Sequence, residues 1–196
     1  MALAGWRGLP CGLRRSYSAG DACEPGAALA YHSTMATSIL FVCTGNIFRS
    51  VSAEYALKHR LGAATALHVA SAGTRADQGA GHWRIHEYLG RKGADSTAHR
   101  PRRVTTALLA EFDLVVAMGE DHRAQLKAEF GRDSVLFNEL CHGRPTPVLD
   151  LHEAVEDWLT NERAAWDYIH STIDYIWDSS ALLAKTLEAA ETTKDS

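Results

Sequence analysis

The feature that most constrains the fold lies between residues 39 and 61. Ile39-Leu40-Phe41-Val42 is a short continuous apolar run, the pattern of a strand buried on both faces, and it leads directly into Cys43. Gly45 follows, and from Arg49 to Leu61 the residues Ala53, Ala56, Leu57 and Leu61 recur at helical spacing opposite Glu54, Lys58 and Arg60, with Gly62 as the stop. A buried strand that turns through a glycine loop into a helix belongs to an open α/β sheet, where ligands sit beyond the carboxyl ends of the strands. Cys43 occupies such an end.

The rest of the chain repeats the alternation. Leu67 to Ala72 predicts a second strand stopped by Gly73, and Trp83 to Lys92 a short helix before Gly93. Phe112 to Met118 predicts a third strand, Glu120 to Phe130 a helix closed by Gly131, and Val135-Leu136-Phe137 a fourth strand. A long loop from Cys141 to Pro147 then leads to Asp150. Trp166, Ile169, Ile173, Ile176, Leu183 and Leu187 form one stripe at three- and four-residue steps, which predicts a terminal helix packed on the sheet. The expected fold is α/β: a single doubly wound domain over residues 38–190, with a four-stranded parallel sheet and helices on both faces, followed by a tail at 191–196.

Composition sets the limits. With 196 residues, 46% apolar and 22% charged, the chain supports one well-buried core. A net charge of -4 without any basic block argues against nucleic acid and against an anionic membrane as partners. No apolar run approaches the roughly 18 to 20 residues needed to cross a bilayer. The four cysteines, at positions 11, 23, 43 and 141, show no disulfide-like spacing, which suits a reducing, cytoplasmic compartment and a free thiol. Residues 1–37 are rich in Gly, Ala and Ser, carry Arg7, Arg14 and Arg15, and hold no acid before Asp21. Two accounts of them stand: a transit peptide for organelle import, or a disordered or mis-started extension with Met35 as the working start.

The chemistry gathers at residues 43 to 50. An arginine six residues after a strand-end cysteine, at the first turn of a helix, puts several backbone N–H groups around one point, which is an anion site. Gly45 permits close backbone approach or a positive φ, and the Arg49 guanidinium can hold two phosphate oxygens in its planar fork. The same positive features stabilise a Cys43 thiolate. Ser50 is placed to hydrogen-bond that thiolate and help it leave, and Asn46 to fix the loop through backbone hydrogen bonds. Cys43 and Arg49 are therefore candidate catalytic residues, and Thr44, Gly45, Asn46, Ile47, Phe48 and Ser50 candidate substrate-binding residues. An inert buried cysteine beside an ordinary surface arginine would not require Gly45, Asn46 and Ser50 at these offsets. The Gly-Lys-Ser/Thr ending of a nucleotide-binding loop is absent, and Cys141-His142 with His152 or His122 matches no zinc spacing, so neither metal nor cofactor is expected.

These residues resemble the low molecular weight protein-tyrosine-phosphatase family, whose signature is Cys-x5-Arg-Ser immediately after the first strand. Phe41 to Asn46, Arg49-Ser50, Ala53-Glu54, Ser71-Ala72-Gly73-Thr74, His99-Arg100 and Phe112 to Met118 carry the resemblance, over roughly residues 37 to 190. It implies a phosphocysteine mechanism without metal: Cys43 attacks phosphorus, Arg49 and the loop amides hold the equatorial oxygens, and an aspartate protonates the leaving oxygen and then activates water. The position of that acid in the family points to Asp150. A helix cap is the other role open to an aspartate there, and Asp157 is the substitute acid. His99 and Ser71 match residues that support the loop.

Two departures bear on substrate. Leu151-His152 follows Asp150 where family members usually have proline and aromatic residues, so no aromatic wall is expected there, and Trp83, His86 or Tyr88 are the candidates to replace it. Phe48 stands where many members carry a second cysteine, which removes that route to a protective disulfide. Thr44 occurs in members acting on phosphotyrosine and in those preferring phosphoarginine. The expected substrate is a phosphotyrosyl protein or a small aryl phosphate, with phosphoarginine second and a non-catalytic phosphate-binding module as the remaining alternative. The sequence carries no signal for oligomeric state.

Overall fold

Strand β1, Ser38–Cys43, is buried along its whole length and pairs in parallel on both sides, with β2 (His68–Gly73) and with β3 (Leu114–Ala117). The molecule is a computed structural model that describes residues 36–192 apart from 78 and 80. The expectations about residues 1–35, with Cys11 and Cys23, and about the end of the tail lie outside the described residues. A two-residue strand β4, Val135–Leu136, adds to β3, giving a four-stranded parallel sheet in the order β2-β1-β3-β4. The order reverses between β1 and β3, so the loop after β1 opens at the topological switch point of the sheet.

The period of two along β1 divides its side chains between the layers. Ile39, Phe41 and Cys43 face a core shared with Ala53 and Leu57 of α1 (Arg49–Leu61) and with Ile176 and Leu183 of α7 (Glu162–Thr192). Leu40 and Val42 face the opposite core, with Leu108 and Leu109 of α3 (Thr106–Ala110) and Leu126 of α4 (Glu120–Phe130). Helices thus cover both faces, as a doubly wound sheet requires. Each such fully buried aliphatic or aromatic side chain contributes about 2 kcal/mol. A third cluster ties α1 and α7 to α2 (Trp83–Arg91) through Val51, Ile85, Leu89, Ile173 and Trp177.

The differences from expectation sit where local patterns mislead. Phe112 and Asp113 precede β3 rather than begin it; Phe112 packs into the lower core while the Asp113 carboxylate accepts hydrogen bonds from Thr37 and Ser38. Phe137 opens helix α5 (Phe137–His142) instead of ending a strand, because Glu139 reaches back to accept from the Leu136 N–H at 3.3 Å. Cys141 consequently lies in that helix, not in a loop. The helix α3 was not expected at all; Thr105 caps it by accepting from the Leu108 N–H at 3.1 Å. The terminal stripe does form one helix, α7, of 31 residues.

Candidate active site

The loop from Cys43 to Ser50 joins β1 to α1, and its shape is set by one residue. Asn46 is buried with φ at 53°, the one non-glycine residue with positive φ among the described residues. The left-handed position therefore falls on Asn46 and not on Gly45. Asparagine tolerates this conformation better than other side chains, and here its amide is fully used. Nδ2 donates to Ser50 Oγ at 3.0 Å and to Ser71 Oγ at 2.7 Å, while Oδ1 accepts from the Arg102 N–H at 3.0 Å. The Asn46 carbonyl accepts from His99 Nε2 at 3.1 Å.

Behind these contacts lies a buried polar chain. Ser71 Oγ donates to Glu54 Oε2 at 2.6 Å, and the other oxygen of Glu54 meets Lys58 Nζ at 2.5 Å. Burial lowers the pKa of His99, an effect opposed by its hydrogen bond to Asn46 and by the charge of Glu54. His99 and Ser71 thus contact the loop at Asn46 from two sides. Glycine is required at position 73 of β2: a Cβ there would lie 2.5 Å from the Thr44 carbonyl oxygen and 2.9 Å from the Asn46 nitrogen. The second strand can run so close to the loop only because that side chain is missing.

Cys43 Sγ sits 3.0 Å from Ser50 Oγ, at the foot of α1, whose first turn has no side-chain cap. The first-turn amides of α1 are thus left uncapped at the end of the helix that begins beside the thiol, where an anion could take them. Arg49 is 1% exposed. One guanidinium nitrogen donates to the Val148 carbonyl at 3.0 Å, and another donates to Thr44 Oγ1 at 3.2 Å and is in contact with Asp150 Oδ2. Its Nε is buried without a hydrogen-bond partner among the described residues. A buried N–H of a cation left unpaired is costly, and an oxyanion over the loop would satisfy it.

Asp150 caps a helix with one oxygen and faces the loop with the other. Its Oδ1 accepts from the Leu151 N–H at 2.8 Å and caps the short helix α6 (Leu151–Ala154), while its Oδ2 faces Arg49 and accepts from Thr44 Oγ1 at 3.1 Å. Tyr168 of α7 steadies the preceding residue by donating to the Leu149 carbonyl at 2.8 Å. Asp157 is exposed, accepts from Asn161 Nδ2 at 2.9 Å, and is absent from the lining of the cavity over Cys43.

That cavity has a volume of about 710 Å3. Ile47 and Phe48 of the loop form one side, and Leu151, Trp158, Leu159 and Trp166 much of the rest. An aromatic wall is present after all, eight residues beyond Asp150, with Trp158 still 38% exposed. Of the replacements foreseen, Trp83 and Tyr88 line a separate, smaller cavity, and His86 is bonded to Ser96 Oγ at 2.9 Å. Trp158 was not legible as a wall because the residues around it, Val155-Glu156-Asp157 before and Leu159-Thr160 after, carry no helical or strand period.

His122 is the other residue missed. It lies in the first turn of α4, is 1% exposed, and brings Nε2 to 2.9 Å from Thr44 Oγ1. Burial, with the charge of Arg49 adding to it, lowers its pKa to about 4, against the opposing influence of Asp121, Asp150 and Glu153. The zinc candidates do not converge: His142 bonds Ser179 Oγ at 2.9 Å, and among the described residues no three His, Cys, Asp or Glu side chains group as metal ligands. Burial pushes the Cys141 thiol up to about 12, which keeps it protonated at neutral pH. No helix among the described residues is long and apolar enough to cross a membrane.

A thiol centred in a strand-to-helix anion loop, with a buried arginine and a facing aspartate at the switch point of a parallel sheet, defines a cysteine-centred phosphate-loop protein. Residues 38–192 match the family model described as low molecular weight phosphotyrosine protein phosphatase, and the chain belongs to that family. It is accordingly a phosphatase. Low molecular weight protein-tyrosine phosphatase A of Mycobacterium tuberculosis is 39% identical over 150 residues, covering 69% of this chain and 84% of the relative. The structure of the YwlE arginine phosphatase with a phosphorylated active-site serine superposes with a TM-score of 0.64 at 27% identity, covering 77% of this chain and 95% of the other. The tyrosine phosphatase Wzb from Escherichia coli K30, in complex with sulphate, gives 0.63 at 25% identity, covering 78% and 99%.

Proposed function

We propose that this phosphatase hydrolyses phosphotyrosine on proteins through a phosphocysteine intermediate. The observation that carries the proposal is the pairing of two features: a buried Arg49 Nε without a partner beside Cys43, and an apolar, aromatic cleft above them. The first suits a dianionic phosphoryl group and the second a phenyl ring.

In the first step a sulfur–phosphorus bond forms between Cys43 and the substrate, the bond from phosphorus to the aryl oxygen breaks, and Asp150 gives its proton to the departing phenolate. Arg49 and the loop amides hold the three remaining oxygens. Water then attacks phosphorus, Asp150 takes up its proton, and the thiolate leaves with Ser50 Oγ, 3.0 Å away, donating to it. The products are a phenol and inorganic phosphate. A reducing, cytoplasmic setting is part of the same proposal, since the reaction needs Cys43 unoxidised.

Phosphoarginine is the second candidate, favoured by the likeness to the YwlE arginine phosphatase. Ile47, Phe48, Trp158 and Trp166 offer a guanidinium no carboxylate beyond Asp150 and Glu162, and Glu162 is engaged with Arg84. Phosphate release from matched phosphotyrosine and phosphoarginine peptides, in chelator, tests the choice. A preference for phosphotyrosine abolished by Cys43→Ser is expected. A preference for phosphoarginine would replace the substrate, and phosphate binding without turnover would reduce the protein to a binding module.

A further inference from the structure

Val148 and Leu151 pack the segment on either side of Asp150, but helix α6, which Asp150 caps, contributes no buried residue, so the direction of the carboxyl that the proposed mechanism uses as acid and base is left to polar contacts. We propose that His122 is a positioning residue for Asp150, acting through Thr44: its imidazole N–H sets the direction of the Thr44 hydroxyl, which holds the carboxyl over the loop. This rests on the phosphatase mechanism given above.

Three groups surround Thr44 Oγ1: Arg49 at 3.2 Å, Asp150 Oδ2 at 3.1 Å and His122 Nε2 at 2.9 Å. A guanidinium only donates, the Asp150 carboxylate in the form that takes up the water proton only accepts, and the hydroxyl has one proton and two lone pairs. Thr44 therefore gives its proton to Asp150 and takes one hydrogen bond from Arg49. The remaining lone pair is satisfied only if His122 donates to it, which requires the proton on Nε2. Nδ1 is then bare and makes no hydrogen bond among the described residues, and the Asp121 carboxylate 3.0 Å from it opposes this tautomer, a cost that the hydrogen bonds around Thr44 must outweigh.

With the opposite tautomer the hydroxyl would turn toward His122 and present lone pairs to the carboxylate. His122 thus decides whether Thr44 attracts or repels Asp150. The charged groups around the ring are Asp121 on its own helix, Arg49 of α1, and Asp150 and Glu153 of the acid segment; burial and Arg49 keep it neutral. The imidazole is anchored by α4, whose Leu126 is fully buried in the sheet core, so an element of the core reaches Asp150 through two side chains.

A misplaced acid penalises substrates according to how badly their leaving group needs a proton, and a merely structural defect does not. The experiment measures kcat/KM for phosphotyrosine and for 4-nitrophenyl phosphate, whose phenolate is a much weaker base, in the wild type, Asp150→Asn, His122→Leu, His122→Gln, Thr44→Val and the double variant His122→Leu with Thr44→Val. His122→Leu is expected to lose about tenfold or more on phosphotyrosine and about twofold or less on the nitrophenyl ester. His122→Gln, which keeps an N–H near the place of Nε2, restores most of the loss, and the double variant is no worse than either single one.

Equal losses on both substrates, no rescue by glutamine, or additive losses in the double variant would overturn the role of His122. Should His122→Leu fail to fold, judged by urea unfolding, Thr44→Val and His122→Gln decide between the same outcomes. Asp150→Asn separates the two levels: if it shows no leaving-group dependence, or the wild type does not turn over, the mechanism itself falls and the positioning role with it.

Discussion

Replacing Asn46 with alanine removes three side-chain hydrogen bonds, to Ser50, Ser71 and the Arg102 amide, and leaves a residue with a Cβ but no compensating amide at a φ of 53°. At about 1 kcal/mol per hydrogen bond and about 1 kcal/mol for the left-handed conformation, the loss is about 4 kcal/mol. That is a large part of the ~5 to 15 kcal/mol by which domains are usually stable. Asn46→Gly relieves only the dihedral part and should cost about 3 kcal/mol. Urea unfolding measures both. With a slope of about 2 kcal/mol per molar, the alanine variant shifts the midpoint by about 2 M at unchanged slope, with glycine about 0.5 M less affected. A shift below about 0.5 M for alanine, or identical midpoints for the two variants, would refute the claim that this residue holds the loop.

Three further outcomes follow from the same geometry. Ser50→Ala removes the hydroxyl 3.0 Å from the thiol, so breakdown of the phosphocysteine slows by about thirtyfold, for about 2 kcal/mol, and rapid-mixing kinetics show a larger burst of phenol before a slower steady state. Trp158→Ala opens the cleft and raises KM for aryl phosphates about fivefold, roughly 1 kcal/mol of ring contact, with little change in kcat; an unchanged KM would remove Trp158 from the substrate wall. His122 binds a proton in the unfolded chain near pH 6.5 but in the folded protein only at about pH 4, so the unfolded state holds more protons between those values and stability is lost as the pH falls through that window. Urea unfolding should show a loss of about 2 kcal/mol from about pH 7 to about pH 5 that is largely absent in His122→Gln; the same slope in both proteins would contradict the assignment.

The fold was legible wherever a residue's pattern reported its own burial. The run from Ile39 to Val42 reads as a strand covered on both sides, and it is the central one. The loop was legible for a different reason: Cys43, Asn46, Arg49 and Ser50 have few common uses together, and their spacing is set by the backbone between a strand and a helix. Asp150 was harder, since one of its oxygens caps a helix while the other faces Thr44 and Arg49, and the sequence does not choose between a cap and an acid. What escaped is what depends on distant partners. Nothing near His122 reveals that α4 presents it to a threonine 78 positions earlier, and Trp158 becomes a cleft wall only because the polar segment after Asp150 folds back over the loop. Phe137 was misassigned because the carboxylate that starts α5 lies at its third helical position, behind a leucine that offers no cap of its own.

The central claim is that Cys43 carries the phosphoryl group. Its most direct test is to quench turnover of an aryl phosphate in acid, in the presence of chelator, and to determine by mass spectrometry which peptide has gained a phosphoryl group. The account predicts the adduct on the peptide holding Cys43, accumulating further in Ser50→Ala and absent together with all turnover in Cys43→Ser. Continued hydrolysis by Cys43→Ser, or hydrolysis by the wild type that ceases on chelation, would contradict it.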